Sequence, residues 1–79
     1  MENSEQAVSA LLPAATGRCG QVLAGMWAGK GTKEIAADLR ISPKTVEFHR
    51  ARLYRVFGVH DSVSLCRRAM ALGLIKAEN

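Results

Sequence analysis

The sequence predicts an all-α, four-helix bundle-like fold, and three observations carry that expectation. Apolar residues recur at three- and four-residue spacings, the period of a helix face, and no stretch alternates as a strand would. Residues suited to capping free helix amides (Thr16, Thr32, Ser42, Asp61) precede the periodic runs. Gly58 and Gly73 follow two of those runs, where a left-handed residue closes a helix. Internal repeats and low-complexity tracts are absent from the 79 residues, a length that supports one small core.

Composition narrows the class of function. Apolar residues make up 48% of the chain, enough for a helical core, while aromatics are only 5%. The net charge of +4, with a pI near 9.6, suits a polyanionic partner, although many soluble domains share so modest an excess. Its placement says more. Lys44, Arg50, Arg52 and Arg55 cluster against one acid, Glu47, whereas the N-terminal stretch carries Glu2 and Glu5 and no base. Cys19 and Cys66 are far apart and, with His49 and His60, match no metal or redox spacing, so buried free thiols are expected and no metal or cofactor. No apolar run approaches a membrane span, and the acidic start is unlike a signal peptide, which reads as a cytosolic protein.

Residues 1–15 form an N-terminal arm, either a linker or a short helix capped by Ser4 and stopped by Pro13. A first core helix runs from about Gly17 to Trp27, with Val22, Leu23, Met26 and Trp27 on one face. Gly17, Gly20 and Gly25 weaken it, each by about 1 kcal/mol relative to Ala where helical, so packing must supply its order. Ala28 to Gly31 reads as a turn. Thr32 caps a short second helix from Lys33 to about Arg40, which turns Ile35, Ala36 and Leu39 inward and keeps Glu34 near its positive end.

Two residues, Arg40 and Ile41, then separate that helix from Ser42. Helices joined so tightly cannot lie antiparallel and must cross steeply, with small Ala36 allowing close approach and Ile41 filling the corner. The third helix, about 43–57, opens with a Ser42 cap and Pro43 at the first position, where a missing N–H costs nothing. Val46, Leu53 and Phe57 form its inner stripe, and Lys44, Phe48, Ala51 and Arg55 fall on the opposite side. Glu47 and Arg52 border that outer face. Alone, such a helix is an amphipathic helix with a solvated charged face; after a short helix and a tight turn, it suits a nucleic-acid reading helix. A fourth helix starts at Asp61 or Ser62 and runs to about Leu72, with Leu65, Ala69 and Leu72 as its stripe. Gly73 caps it, Leu74 and Ile75 anchor the end, and 76–79 form a polar tail.

Gly29, Lys33-Glu34-Ile35-Ala36, Leu39, Ile41-Ser42, Thr45-Val46, His49, Gly58-Val59, Ala69 and Gly73-Leu74-Ile75 resemble the LuxR/FixJ-type (GerE-like) helix-turn-helix domain of bacterial transcription regulators. The resemblance covers about residues 15 to 75, with spacings that agree across three turns. It implies double-stranded DNA binding and transcription regulation, commonly at the C-terminus of a response regulator. It also implies a dimer on a pseudo-palindromic site, with the third helix in the major groove and the fourth forming the dimer contact. The chain departs from the family pattern at several places. The Thr16 capping box is lost at Cys19, Trp27 replaces a small residue, and Gly31-Thr32 stands for a common Ser-Asn. Glu47 stands for a common Lys, Arg52 and Val56 for Asn and Lys, and Leu65 for Ala.

The resemblance places base reading at Lys44, Glu47, Phe48 and Ala51, the outer face that periodicity picks out. Lys44 suits guanine O6 or N7, and Phe48 and Ala51 suit thymine methyls. Glu47 would repel phosphate, so it either accepts from a cytosine amino group or pairs with Arg50 or Arg55. Lys33, Thr45, Arg52 and Arg55 are phosphate candidates, each with solvated surface charge or polarity as the plain alternative. His49 joins them as a family position, or is a hydrogen-bonded boundary histidine; Arg50 only snorkels. Leu65, Cys66 and Arg67 are the expected dimer contact. No catalysis is expected, because no nucleophile–base pair, carboxylate pair or phosphate-cradling glycine loop is present. A protein–protein module on the same fold, binding RNA polymerase or another regulator, is the alternative function.

Overall fold

A computed structural model describes residues 16–75, and the expectations for the 1–15 arm and the 76–79 tail lie outside those residues. Four helices follow in order: α1 Gly17–Trp27, α2 Thr32–Leu39, α3 Pro43–Phe57 and α4 Ser62–Ala71, with no strand among the described residues. The all-α expectation holds.

α3 is the hub, packed against each of the other three helices. Its inner stripe of Val46, Leu53 and Phe57 is buried and meets Val22, Leu23 and Met26 of α1 and Ile35 and Ala36 of α2 in one core cluster. α4 adds Leu65, Cys66 and Ala69 to that cluster. The largest side chains sealed completely are Leu23, Ile35, Leu53, Leu65, Val22 and Val46. Each contributes about 1.5–3 kcal/mol of burial, which is what offsets the conformational entropy of so short a chain. Both cysteines are free and buried.

Local chemistry sets the helix boundaries. Ser42 Oγ accepts from the Thr45 amide at 3.1 Å, with Pro43 at the start of α3. Asp61 caps α4 by accepting from the Ser64 amide at 2.8 Å and the Ser64 hydroxyl at 3.0 Å. Those hydrogen bonds hold the Asp61 carboxyl below the usual carboxylate range. Thr32 is not the cap expected of it. Gly31 takes that place because its carbonyl already accepts from the Ile35 amide at 2.9 Å, which makes Thr32 the first helical residue.

All four helices close with the same pair of bonds, in which a left-handed residue is followed by an amide reaching five residues back. The long bonds are Lys30 to Gly25, Ile41 to Ala36, Val59 to Tyr54 and Leu74 to Ala69, all about 3.0 Å. Glycine holds the left-handed place at 29, 58 and 73; in the tight turn between α2 and α3 it is Arg40, at φ 59°. Ile41, Val59 and Leu74, the residues after three of these turns, pack back on the core.

Candidate nucleic-acid interface

α3 reaches its place because its two faces differ. One is sealed by the core and the other is turned to solvent, touching α2 where Glu47 meets Thr32, so its outer side chains are presented along a rigid, doubly capped helix. Lys44, Glu47, Phe48, Ala51 and Arg55 are all exposed, as are Thr45 and Arg52. Phe48 stands 60% exposed, an unusual state for a large aromatic on a helix otherwise glued down by apolar residues. Lys33, in the first turn of α2, is exposed as well. Thr45 also lies within hydrogen-bond distance of Ser42, its hydroxyl 2.9 Å from the cap oxygen.

Glu47 is not paired as the sequence suggested. Neither Arg50 nor Arg55 takes its carboxylate; Oε2 instead accepts from the Thr32 hydroxyl at 2.6 Å. Arg50 is engaged elsewhere, donating to the Tyr54 hydroxyl at 3.1 Å with its guanidinium carbon 6.0 Å from that ring's centroid. Arg50 is therefore half-buried and tied to its own helix, one turn on.

His49 is also half-buried, at the edge between the core and the outer face. Its ring meets Phe48 edge-on, centroids 5.5 Å apart, and its Nδ1 is buried with no hydrogen-bond partner. The boundary-histidine alternative assumed a bonded ring, and at Nδ1 that is not found. Its carbonyl accepts a long bond, 3.8 Å, from the Cys19 thiol of α1. Burial pushes that thiol above its usual range, with the Arg52 charge drawing it partly back. Burial likewise raises Cys66.

The fourth helix requires a correction. Leu65 is sealed within the core and Cys66 is only 8% exposed, so neither side chain is open to a second copy. Arg67 is exposed, and beside it stand Val63 at 64% and Met70 at 40% exposure. These two border a shallow depression also lined by Trp27. The 3.6-residue period already groups Leu65 with Ala69 and Leu72 and separates it from Val63, and the burial of Leu65 and Ala69 agrees with that stripe. Nothing in the sequence paired Thr32 with Glu47, because the two lie fifteen residues apart.

Among the described residues, no helix is long and apolar enough to cross a membrane, and no cluster of three potential metal ligands occurs.

A family model described as bacterial regulatory proteins, luxR family, matches residues 16–69. The transcriptional regulatory protein UhpA of Escherichia coli (strain K12) is 50% identical over 48 residues, 61% of this chain and 24% of that protein. The transcriptional regulatory protein FixJ of Rhizobium meliloti (strain 1021) is 45% identical over 53 residues, 67% of this chain and 26% of that protein. The uncharacterized response regulatory protein YgeK of Escherichia coli (strain K12) is 37% identical over 59 residues, 75% of this chain and 40% of that protein. The chain spans roughly a quarter to two-fifths of the curated relatives it matches. No solved structure matches it. The family model spans most of the chain, over the same helices that carry the short-helix, tight-turn and capped-basic-helix order, so the chain belongs to the luxR family of bacterial regulatory proteins.

Proposed function

We propose that residues 16–75 are a DNA-binding domain that regulates transcription, with α3 laid in the major groove of a double-stranded, pseudo-palindromic site. The observation that carries this reading is the outer face of α3, where Lys44, Phe48, Ala51 and Arg55 are exposed on a helix whose other face is sealed. A major groove admits one α-helix, and side chains on that helix's free face are the ones that reach base edges. Lys44 suits guanine, Phe48 and Ala51 suit thymine methyls, and Lys33, Thr45, His49, Arg52 and Arg55 suit the flanking phosphates. Relatives named as transcriptional and response regulators support the regulatory role.

A second copy would dock on the exposed side of α4. Val63, Arg67 and Met70 suit that contact better than Leu65 or Cys66, and pairing would double the number of bases read.

Titrating the chain against mixed-sequence duplex DNA at rising salt tests the proposal. A phosphate binder loses affinity steeply, along a straight line in log salt. The double variant Arg52→Ala, Arg55→Ala is expected to flatten that slope by about two, roughly one for each phosphate contact removed. Affinity indifferent to salt would favour the protein–protein alternative instead.

A further inference from the structure

The Thr32–Glu47 bond joins the first residue of α2 to the outer rim of α3. We propose that Thr32 is a positioning residue for base reading: its hydroxyl fixes the Glu47 carboxylate so that Glu47 selects a cytosine in the major groove. This rests on the DNA-binding reading above.

The geometry supplies the argument. At 2.6 Å the contact has the length of a hydroxyl donating to a charged carboxylate, a strong bond of fixed direction. Thr32 is a rigid anchor, since the α2 backbone is held by Ile35 and Ala36, both buried in the core. Without that anchor a glutamate turns freely about three side-chain bonds and sweeps the outer face, which reads no single base well. Tying one oxygen to Thr32 also directs part of the charge toward the positive end of α2 and away from the phosphates.

A carboxylate offers about four acceptor sites, and Thr32 uses one of them. What remains can only accept. The donors on the major-groove floor are the amino groups of cytosine and adenine, and adenine sets its acceptor N7 beside its amino group, where a carboxylate is repelled. Cytosine is the base that an anchored carboxylate prefers. The rigid tie thus turns a residue that would oppose DNA binding into one that discriminates among sites.

The test is selection of binding sites from random duplexes by the 79-residue chain and four variants, Glu47→Ala, Thr32→Val, Thr32→Ala and Thr32→Ser. The chain should select a motif containing one C·G pair that Glu47→Ala no longer requires. Thr32→Val and Thr32→Ala should lose that same preference, about tenfold, the size of a typical mismatch penalty, with the rest of the motif kept. Thr32→Ser, which keeps the hydroxyl, should retain it. Thr32 lies on the surface side of α2, so thermal melts of the variants should overlay.

If Thr32→Val and Thr32→Ala select an unchanged motif, Thr32 does not position Glu47. If they weaken all sites equally, Thr32 is a phosphate contact and the proposal is wrong. If Glu47→Ala leaves the motif intact, Glu47 is no reader. Should the unaltered chain select no motif, the DNA-binding reading itself fails, an outcome separate from the others.

Discussion

α1 and α3 lie against each other in the core, yet they are held in place by different means. α3 carries its own boundaries in Ser42, Pro43 and Gly58, and it would begin and end where it does with little help from its neighbours. α1 closes locally at Gly29, but it begins on Gly17 at a positive φ and contains two more glycines, so packing must supply its order. The difference goes with what each helix touches. One side of α3 is unpacked, and local bonds at its two ends stand in for the contacts missing there.

The largest break in that comparison is loss of packing on α1. Leu23→Ala removes a side chain that is 1% exposed and leaves a cavity between helices, at a cost of about 3 kcal/mol. A domain this small has roughly 3–5 kcal/mol from its core, so the variant should be partly unfolded at 25 °C by circular dichroism. Phe48→Ala, on the open face of α3, should leave the melt within about 0.5 kcal/mol of the parent.

Gly25 separates propensity from fit. Alanine there should favour the helix by about 1 kcal/mol on propensity alone. A Cβ at that place, however, would stand 2.8 Å from Ile35 Cγ1, inside a buried contact between α1 and α2. Overpacking of this kind costs about 1–3 kcal/mol, so Gly25→Ala should destabilise by about 1 kcal/mol net. In an Ile35→Ala background the sign should reverse. A chemical-denaturation cycle over the four proteins measures the coupling, and strict additivity would show that the approach at Gly25 is not tight.

Ser42→Ala tests the converse on α3. Loss of the bond to the Thr45 amide should cost about 1 kcal/mol, read as a lowered melting temperature with an unchanged fold. Arg40→Gly should do the opposite. A non-glycine residue at φ 59° bears a steric cost of about 1 kcal/mol relative to glycine, so this variant should melt several degrees higher.

These positions also show what could be read from the chain before its structure. The α3 limits, the Asp61 cap and the closing glycines at 58 and 73 were legible, because each depends on residues within one turn. The left-handed Arg40 was not, since nothing in an arginine signals that backbone; the short path from α2 to α3 imposes it. Gly25 was legible only as a weak point, and the approach of Ile35 gives it a purpose that ten residues of separation concealed. On the interface, the free face of α3 was visible in its period. The Thr32 partner of Glu47 was not, because it depends on how separate helices are set against one another; Leu65 stood in the apolar stripe of the fourth helix, and its burial overturns only its place in the dimer contact.

The smallest expected effect lies at the start of α4, a helix capped like α3. Hydrogen bonds from the Ser64 amide and hydroxyl hold the Asp61 carboxyl below its ordinary 3.8, so the folded protein binds that proton less readily than the unfolded chain. The contribution is complete above pH 3.8 and is lost as pH falls through the depressed folded value. Asp61→Asn retains a side-chain oxygen for the cap but cannot titrate. Its melting temperature should therefore fall less than that of the parent between pH 5 and pH 2. Parallel curves over that interval would mean that the Asp61 cap adds nothing through its charge and holds α4 by its neutral hydrogen bonds alone.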